Sequence, residues 1–137
     1  MDLRMNRQMK TDDAVQMNPL QLAYLGDSVW ELFVRYRLII RKYNVHHLHK
    51  HCVELVNAGS QARILKAILP LLTEEENEIV KRGRNAHPKH AAPRNQDPAD
   101  YAYSTGFEAL IGFLYLTGRE DRILHLAESM KEEDLHA

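Results

Sequence analysis

Leu22-Ala-Tyr-Leu-Gly-Asp-Ser-Val-Trp-Glu31 sets a glycine and a carboxylate, Gly26 and Asp27, side by side in an apolar helical pattern. A second stretch, Thr105-Gly-Phe-Glu-Ala-Leu-Ile-Gly112, repeats the combination with Gly106 and Glu108. Both features cost stability. A glycine inside a helix is roughly 1 kcal/mol worse than alanine, and an acid on an apolar face has to be paired, hydrated or metal-bound. Two costs of the same kind point to one shared site. Gly26 and Gly106 are expected to let two helix backbones approach closely, bringing Asp27 and Glu108 to a common point where a hard cation neutralises them. The chemistry expected there is metal-assisted hydrolysis.

Outward from these stretches the chain reads as all-α. β-branched alternation is sparse, and hairpin dipeptides, repeats and low-complexity tracts are absent. Asn18-Pro19 supplies a cap and a first-turn residue for a helix to about Tyr43, with Leu22, Leu25, Val29, Phe33 and Tyr36 on its apolar side. Further helices are expected over His46 to Val56 and Ser60 to Leu72. Thr73-Glu-Glu-Glu76 reads as a capping box opening a helix towards Arg82. Asp97-Pro98 opens another, which runs to Leu116 and stops near Gly118, and a final amphipathic helix covers Arg119 to Met130. Residues 1–16 are expected to be a flexible N-terminal segment, 17–132 a single catalytic domain and 133–137 a tail.

Between the two acidic helices, Lys81 to Arg94 is broken by Gly83, Pro88 and Pro93 and reads as a long loop. No acid interrupts it, so Lys81, Arg82, Arg84, Lys89 and Arg94, with Asn85, form a candidate phosphate-binding patch. A solvated surface loop is the alternative. The whole chain has 137 residues and a formal charge of −1, so any affinity for nucleic acid has to come from such local patches. One cysteine, Cys52, excludes an intrachain disulfide and fits a reducing cytoplasm. No apolar run is long enough to cross a membrane, and the N-terminus lacks the apolar core of a signal peptide, so a cytoplasmic location is expected.

Leu-Ala-Tyr-Leu-Gly-Asp27 resembles the signature helix of ribonuclease III, and Phe-Glu108-Ala-Leu-Ile-Gly resembles its second acidic helix, in the same order and with a similar long separation. The resemblance spans roughly residues 15–130 and leaves no room for the double-stranded-RNA-binding domain that usually follows. It therefore points to the short Mini-III branch. It implies an all-helical endonuclease domain acting as a homodimer on double-stranded RNA, with Mg²⁺ as cofactor and Mn²⁺ as a substitute. For this branch it further implies maturation of the large-subunit (23S) ribosomal RNA precursor, with a possible ribosomal-protein partner. Asp27 and Glu108 match the family's catalytic carboxylates. Two outer acids of its quartet are replaced by Ala23 and Thr105, which leaves the number of metal ions open and allows, as an alternative, an inactive domain that only binds structured RNA. A helical interaction module with buried acids is a third reading.

Other residues carry competing readings. Glu31, one turn after Asp27, is either near the metal or paired with Arg35, and the salt bridge is the more economical. His47 and His51 stand at i,i+4, a spacing compatible with a transition metal but equally with surface histidines near RNA. Trp30, Phe33 and Phe113 occupy apolar-helix positions and read as core or dimer contact rather than as a platform for bases.

Overall fold

The computed structural model of the protein describes residues 8–86 and 93–129, and no strand occurs among them. Among the described residues seven α-helices follow one another: α1 (Thr11–Val15), α2 (Pro19–Ile40), α3 (Val45–Val56), α4 (Ala58–Ile68), α5 (Glu74–Arg84), α6 (Pro98–Leu116) and α7 (Glu120–Glu128). A short 3₁₀ turn, Leu69–Leu71, separates α4 from α5. α6 is the central element and packs against α2, α4, α5 and α7.

The starts of the helices follow local chemistry. Asn18 accepts from the Leu20 backbone N–H ahead of Pro19, and Asp97 accepts from Ala99 and Asp100 ahead of Pro98. Thr73 and Glu76 form both halves of a capping box, at 3.2 and 2.9 Å. α4 begins two residues earlier than its pattern indicates, because the Asn57 side chain caps it by accepting from Ser60 N at 2.8 Å. Pro70 stops it before Leu72, and Lys42, at φ 61°, closes α2 three residues short of Tyr43. α5 continues to Arg84, so the first four residues of the stretch read as a loop, Lys81 to Arg84, are helical. In the segment expected to be flexible, Thr11–Val15 form α1, Ala14 is buried, and Met9 N–H donates to Leu116 O at 2.7 Å.

The core collects Leu22, Trp30, Ile64, Leu65, Ile79, Leu110 and Phe113 around α6. Trp30 meets Phe107 edge to face at 5.0 Å between ring centroids, and its Nε1–H donates to Leu55 O at 3.4 Å. Trp30 and Phe113 are thus core residues, while Phe33 is half-buried. Arg122 reaches across from α7 to the buried Glu76, with bonds of 2.8 and 2.9 Å. Burial opposes ionisation of Glu76, but Arg122 and the cap at Thr73 prevail and hold its carboxyl below the usual range.

What brings the two acidic helices together is glycine. A Cβ at Gly26 would fall on the backbone carbonyl of Glu108, and one at Gly112 on that of Leu22, so only glycine permits α2 and α6 to touch backbone to backbone. The expected partner of Gly26, Gly106, serves a different contact. It faces Val80 and Arg84 of α5, and Gly83 packs on its Cα.

Candidate active site

Asp27 and Glu108 meet across the α2–α6 contact, where their carboxyl groups are hydrogen-bonded to one another. The glycines explain the meeting, since the carbonyl of Glu108 lies where a side chain at Gly26, the residue before Asp27, would have to go. Asp27 is exposed and Glu108 half-buried, so the pair is reached from solvent on the Asp27 side. Burial pushes the Glu108 carboxyl up from 4.5 to about 8. The hydrogen bond to Asp27 and its charge act in the same direction, and a hydrogen bond from Ser104 opposes them. No lysine or arginine contributes to that balance.

Two facing oxygen donors, with no lysine or arginine acting on the Glu108 carboxyl, suit a hard divalent cation. The two outer positions supply no oxygen anion: Ala23 is buried, and the buried Thr105 hydroxyl donates to Tyr101 O at 3.0 Å. Among the described residues no group of three or more His, Cys, Asp and Glu side chains is arranged to hold a metal ion. The described residues thus bring two carboxylates to this point, and a cation held there would take its remaining ligands from elsewhere, water and substrate included.

Glu31 points elsewhere, forming an ion pair with Arg35 at 3.4 Å. His51 lies 3.6 Å from Glu54 and against the ring of Tyr43, with His47 6.5 Å away between ring centroids.

The basic residues separate into distinct roles. Arg82 donates to the carbonyls of Val15 and Met17, at 3.0 Å for Met17, and so fastens α5 to the chain ahead of α2. Asn85 caps α5. Lys81 and Arg94 are exposed, and Lys89 lies outside the described residues. Arg84 stacks on Tyr103 at 4.3 Å, and Lys66 of α4 stands over the same ring at 4.9 Å. Lys66, Tyr103, Ser104 and Gln61 are absent from the sequence reading. Ser104 was accessible there, as the residue one turn before Glu108, whereas Lys66 and Gln61 reach α6 only through tertiary packing.

The Ribonuclease III domain model matches residues 20–119, which contain both acidic helices. The chain belongs to the ribonuclease III family. It is similar to the Mini-ribonuclease 3 of Symbiobacterium thermophilum, 48% identical over 122 residues that span 88% of this chain and 93% of that protein. The Mini-ribonuclease 3 of Brevibacillus brevis is 44% identical over 125 residues, 90% of this chain and 92% of that one. The X-ray structure of protein FN1578 from Fusobacterium nucleatum superposes with a TM-score of 0.74 at 35% identity, covering 83% of this chain and 91% of that one. Membership of the ribonuclease III family makes the chain an endoribonuclease, of a family that acts on double-stranded RNA and is generally dependent on divalent metal.

Proposed function

We propose that the protein is a Mg²⁺-dependent endonuclease, able to use Mn²⁺, that cuts double-stranded RNA as a homodimer and leaves 5′-phosphate and 3′-hydroxyl ends. The contact between Asp27 and Glu108 carries this reading, because it assembles paired oxygen ligands and leaves them uncompensated. A divalent cation bound there supplies Lewis acidity to a phosphoryl oxygen and lowers the pKa of an attacking water. The two carboxylates hold and orient it, and neither acts as nucleophile. Glu108, whose carboxyl burial pushes up to about 8, would give up its proton as a cation is taken up.

Lys66, Arg84 and Tyr103 are assigned to phosphate binding, since two cations on one ring form a compact positive patch suited to a backbone. Lys81 and Arg94 extend it, and Lys89 belongs to the same proposal. Leu32, Tyr36, Ile39 and Ile40 of α2, with Val45, are each at least 60% exposed, an apolar face that a second copy of the chain would cover. A duplex lying across both copies would meet two sites, one for each strand. The substrate within this class, the large-subunit ribosomal RNA precursor, is proposed from the resemblance to the Mini-III branch, as are a cytoplasmic location and assistance by a ribosomal protein. No helix among the described residues is long and apolar enough to cross a membrane.

The test is incubation of an end-labelled RNA duplex with the protein in Mg²⁺, in Mn²⁺ and in chelator, with the chemistry of the product ends determined. Metal-dependent cutting of both strands with 5′-phosphate ends is expected. An intact duplex in both metals would replace the proposal by RNA binding without cleavage.

A further inference from the structure

Ser104, one turn before Glu108 on α6, has a buried partner, Gln61, with no place in the scheme above. Gln61 of α4 is 1% exposed and Ser104 of α6 is 5% exposed. The Ser104 hydroxyl donates to Gln61 Oε1 at 2.8 Å, while Gln61 Nε2 is buried with no hydrogen-bond partner. Leaving a buried amide donor unpaired is costly, and a leucine or methionine of similar volume would avoid it. Helix packing alone therefore gives no reason for a glutamine here.

The spacing on α6 supplies one. Ser104 precedes Glu108 by four residues, so their side chains are neighbours on one face of the helix. A serine hydroxyl has a single proton, which goes either to Gln61 or to Glu108. Half a turn of the Gln61 amide about its terminal torsion exchanges Oε1 and Nε2. The amide then donates to Ser104 Oγ, the orphaned donor is satisfied, and the hydroxyl proton is released towards the Glu108 carboxylate. Gln61 stays bonded to Ser104 in both arrangements, which need no movement of either helix.

We propose that Gln61 and Ser104 are positioning residues, a buried relay in which the Gln61 amide orients the Ser104 hydroxyl and that hydroxyl fixes the Glu108 carboxylate for a divalent cation. The proposal rests on Asp27 and Glu108 being the metal ligands. Neither relay residue touches substrate. Partners of this kind typically change metal affinity by roughly 10- to 100-fold when removed.

The experiment measures Mn²⁺ uptake by the whole chain without RNA, using the electron paramagnetic resonance of free Mn²⁺, for wild type, Ser104→Ala, Ser104→Thr, Gln61→Met, the Ser104→Ala/Gln61→Met pair and Asp27→Asn. Thermal melts in chelator accompany each, and melts like the wild type's are expected for the relay variants. Ser104→Ala should weaken Mn²⁺ binding roughly tenfold and Gln61→Met several-fold. Ser104→Thr, which keeps a hydroxyl, should bind close to wild type. The double variant should bind no more weakly than Ser104→Ala, because a relay broken at one link loses nothing further at the next. Losses that multiply in the double variant would overturn the relay. So would uptake that Asp27→Asn abolishes but Ser104→Ala and Gln61→Met leave unchanged, with the metal site itself then standing. A wild type that takes up no Mn²⁺ would overturn the metal site and the relay together.

Discussion

Replacing Glu108 by glutamine should make the metal-free protein more stable in alkaline solution, the reverse of what loss of a half-buried polar contact usually does. Glu108 titrates near 8 in the fold, against 4.5 for a free glutamate, so the native state holds this proton more tightly than the unfolded chain does. The resulting stability is complete below 4.5 and disappears as the pH rises to about 8. Between pH 5 and 9 linkage assigns this one group a loss of about 4 kcal/mol. At about 4 °C per kcal/mol for a domain of this size, that is on the order of 15 °C in melting temperature. Glu108→Gln cannot ionise and escapes the loss, while every other titrating group is common to both proteins. Melts followed by circular dichroism in chelator from pH 5 to 9 should therefore diverge, with the wild type falling more steeply. Adding Mg²⁺ at pH 8 should raise the melting temperature of the wild type and leave the variant unchanged. Parallel curves for the two proteins would refute the claim that Glu108 carries an uncompensated charge.

The ion pair between Glu76 and Arg122 gives the opposite sign. Glu76 is 2% exposed and held by Arg122, so Arg122→Ala should cost about 3–5 kcal/mol at pH 7, measured by urea denaturation, and progressively less as acid protonates Glu76. Lys66→Ala and Arg84→Ala should each weaken duplex RNA binding and lower the slope of log affinity against log salt by about 1, read by filter binding across a salt series. Arg82→Ala should instead lower thermal stability, since its guanidinium is bonded to main-chain carbonyls. Ile39→Asp, on the exposed face of α2, should give a monomer in sedimentation equilibrium while the melting temperature of the fold is kept.

Helix starts were legible in the sequence because each is written in a short polar side chain or a proline at the position where the first backbone N–H groups need a partner, as at Asn18, Thr73 and Asp97. Helix ends were less so, since they depend on backbone conformations such as the positive φ of Lys42 that many residue types can adopt at a cost. Asp27 and Glu108, the two acids proposed as catalytic, stand out because each interrupts an apolar pattern. The choice of glycine partner does not, although Gly106 and Gly112 are both visible. Six residues along a helix turn a side chain through about 240°, so the two face different neighbours, and only the topology says which neighbour is α2. Periodicity likewise marks Gln61 as a member of α4 and gives no hint that its amide meets Ser104 of α6. In the sequence the basic stretch is a charge run, and charge alone cannot separate Arg82, which braces the fold, from Arg84, which lies on an aromatic ring.

The central claim is that Asp27 and Glu108 act together as the ligands of one catalytic cation. Its most direct test is single-turnover cleavage of an end-labelled RNA duplex in Mg²⁺ by Asp27→Asn, Glu108→Gln and the double variant, each verified as folded and as binding the duplex in chelator. Each single substitution should reduce cleavage to the chelator background, with nothing further lost in the double variant. Substantial cleavage by either folded single variant would contradict the claim.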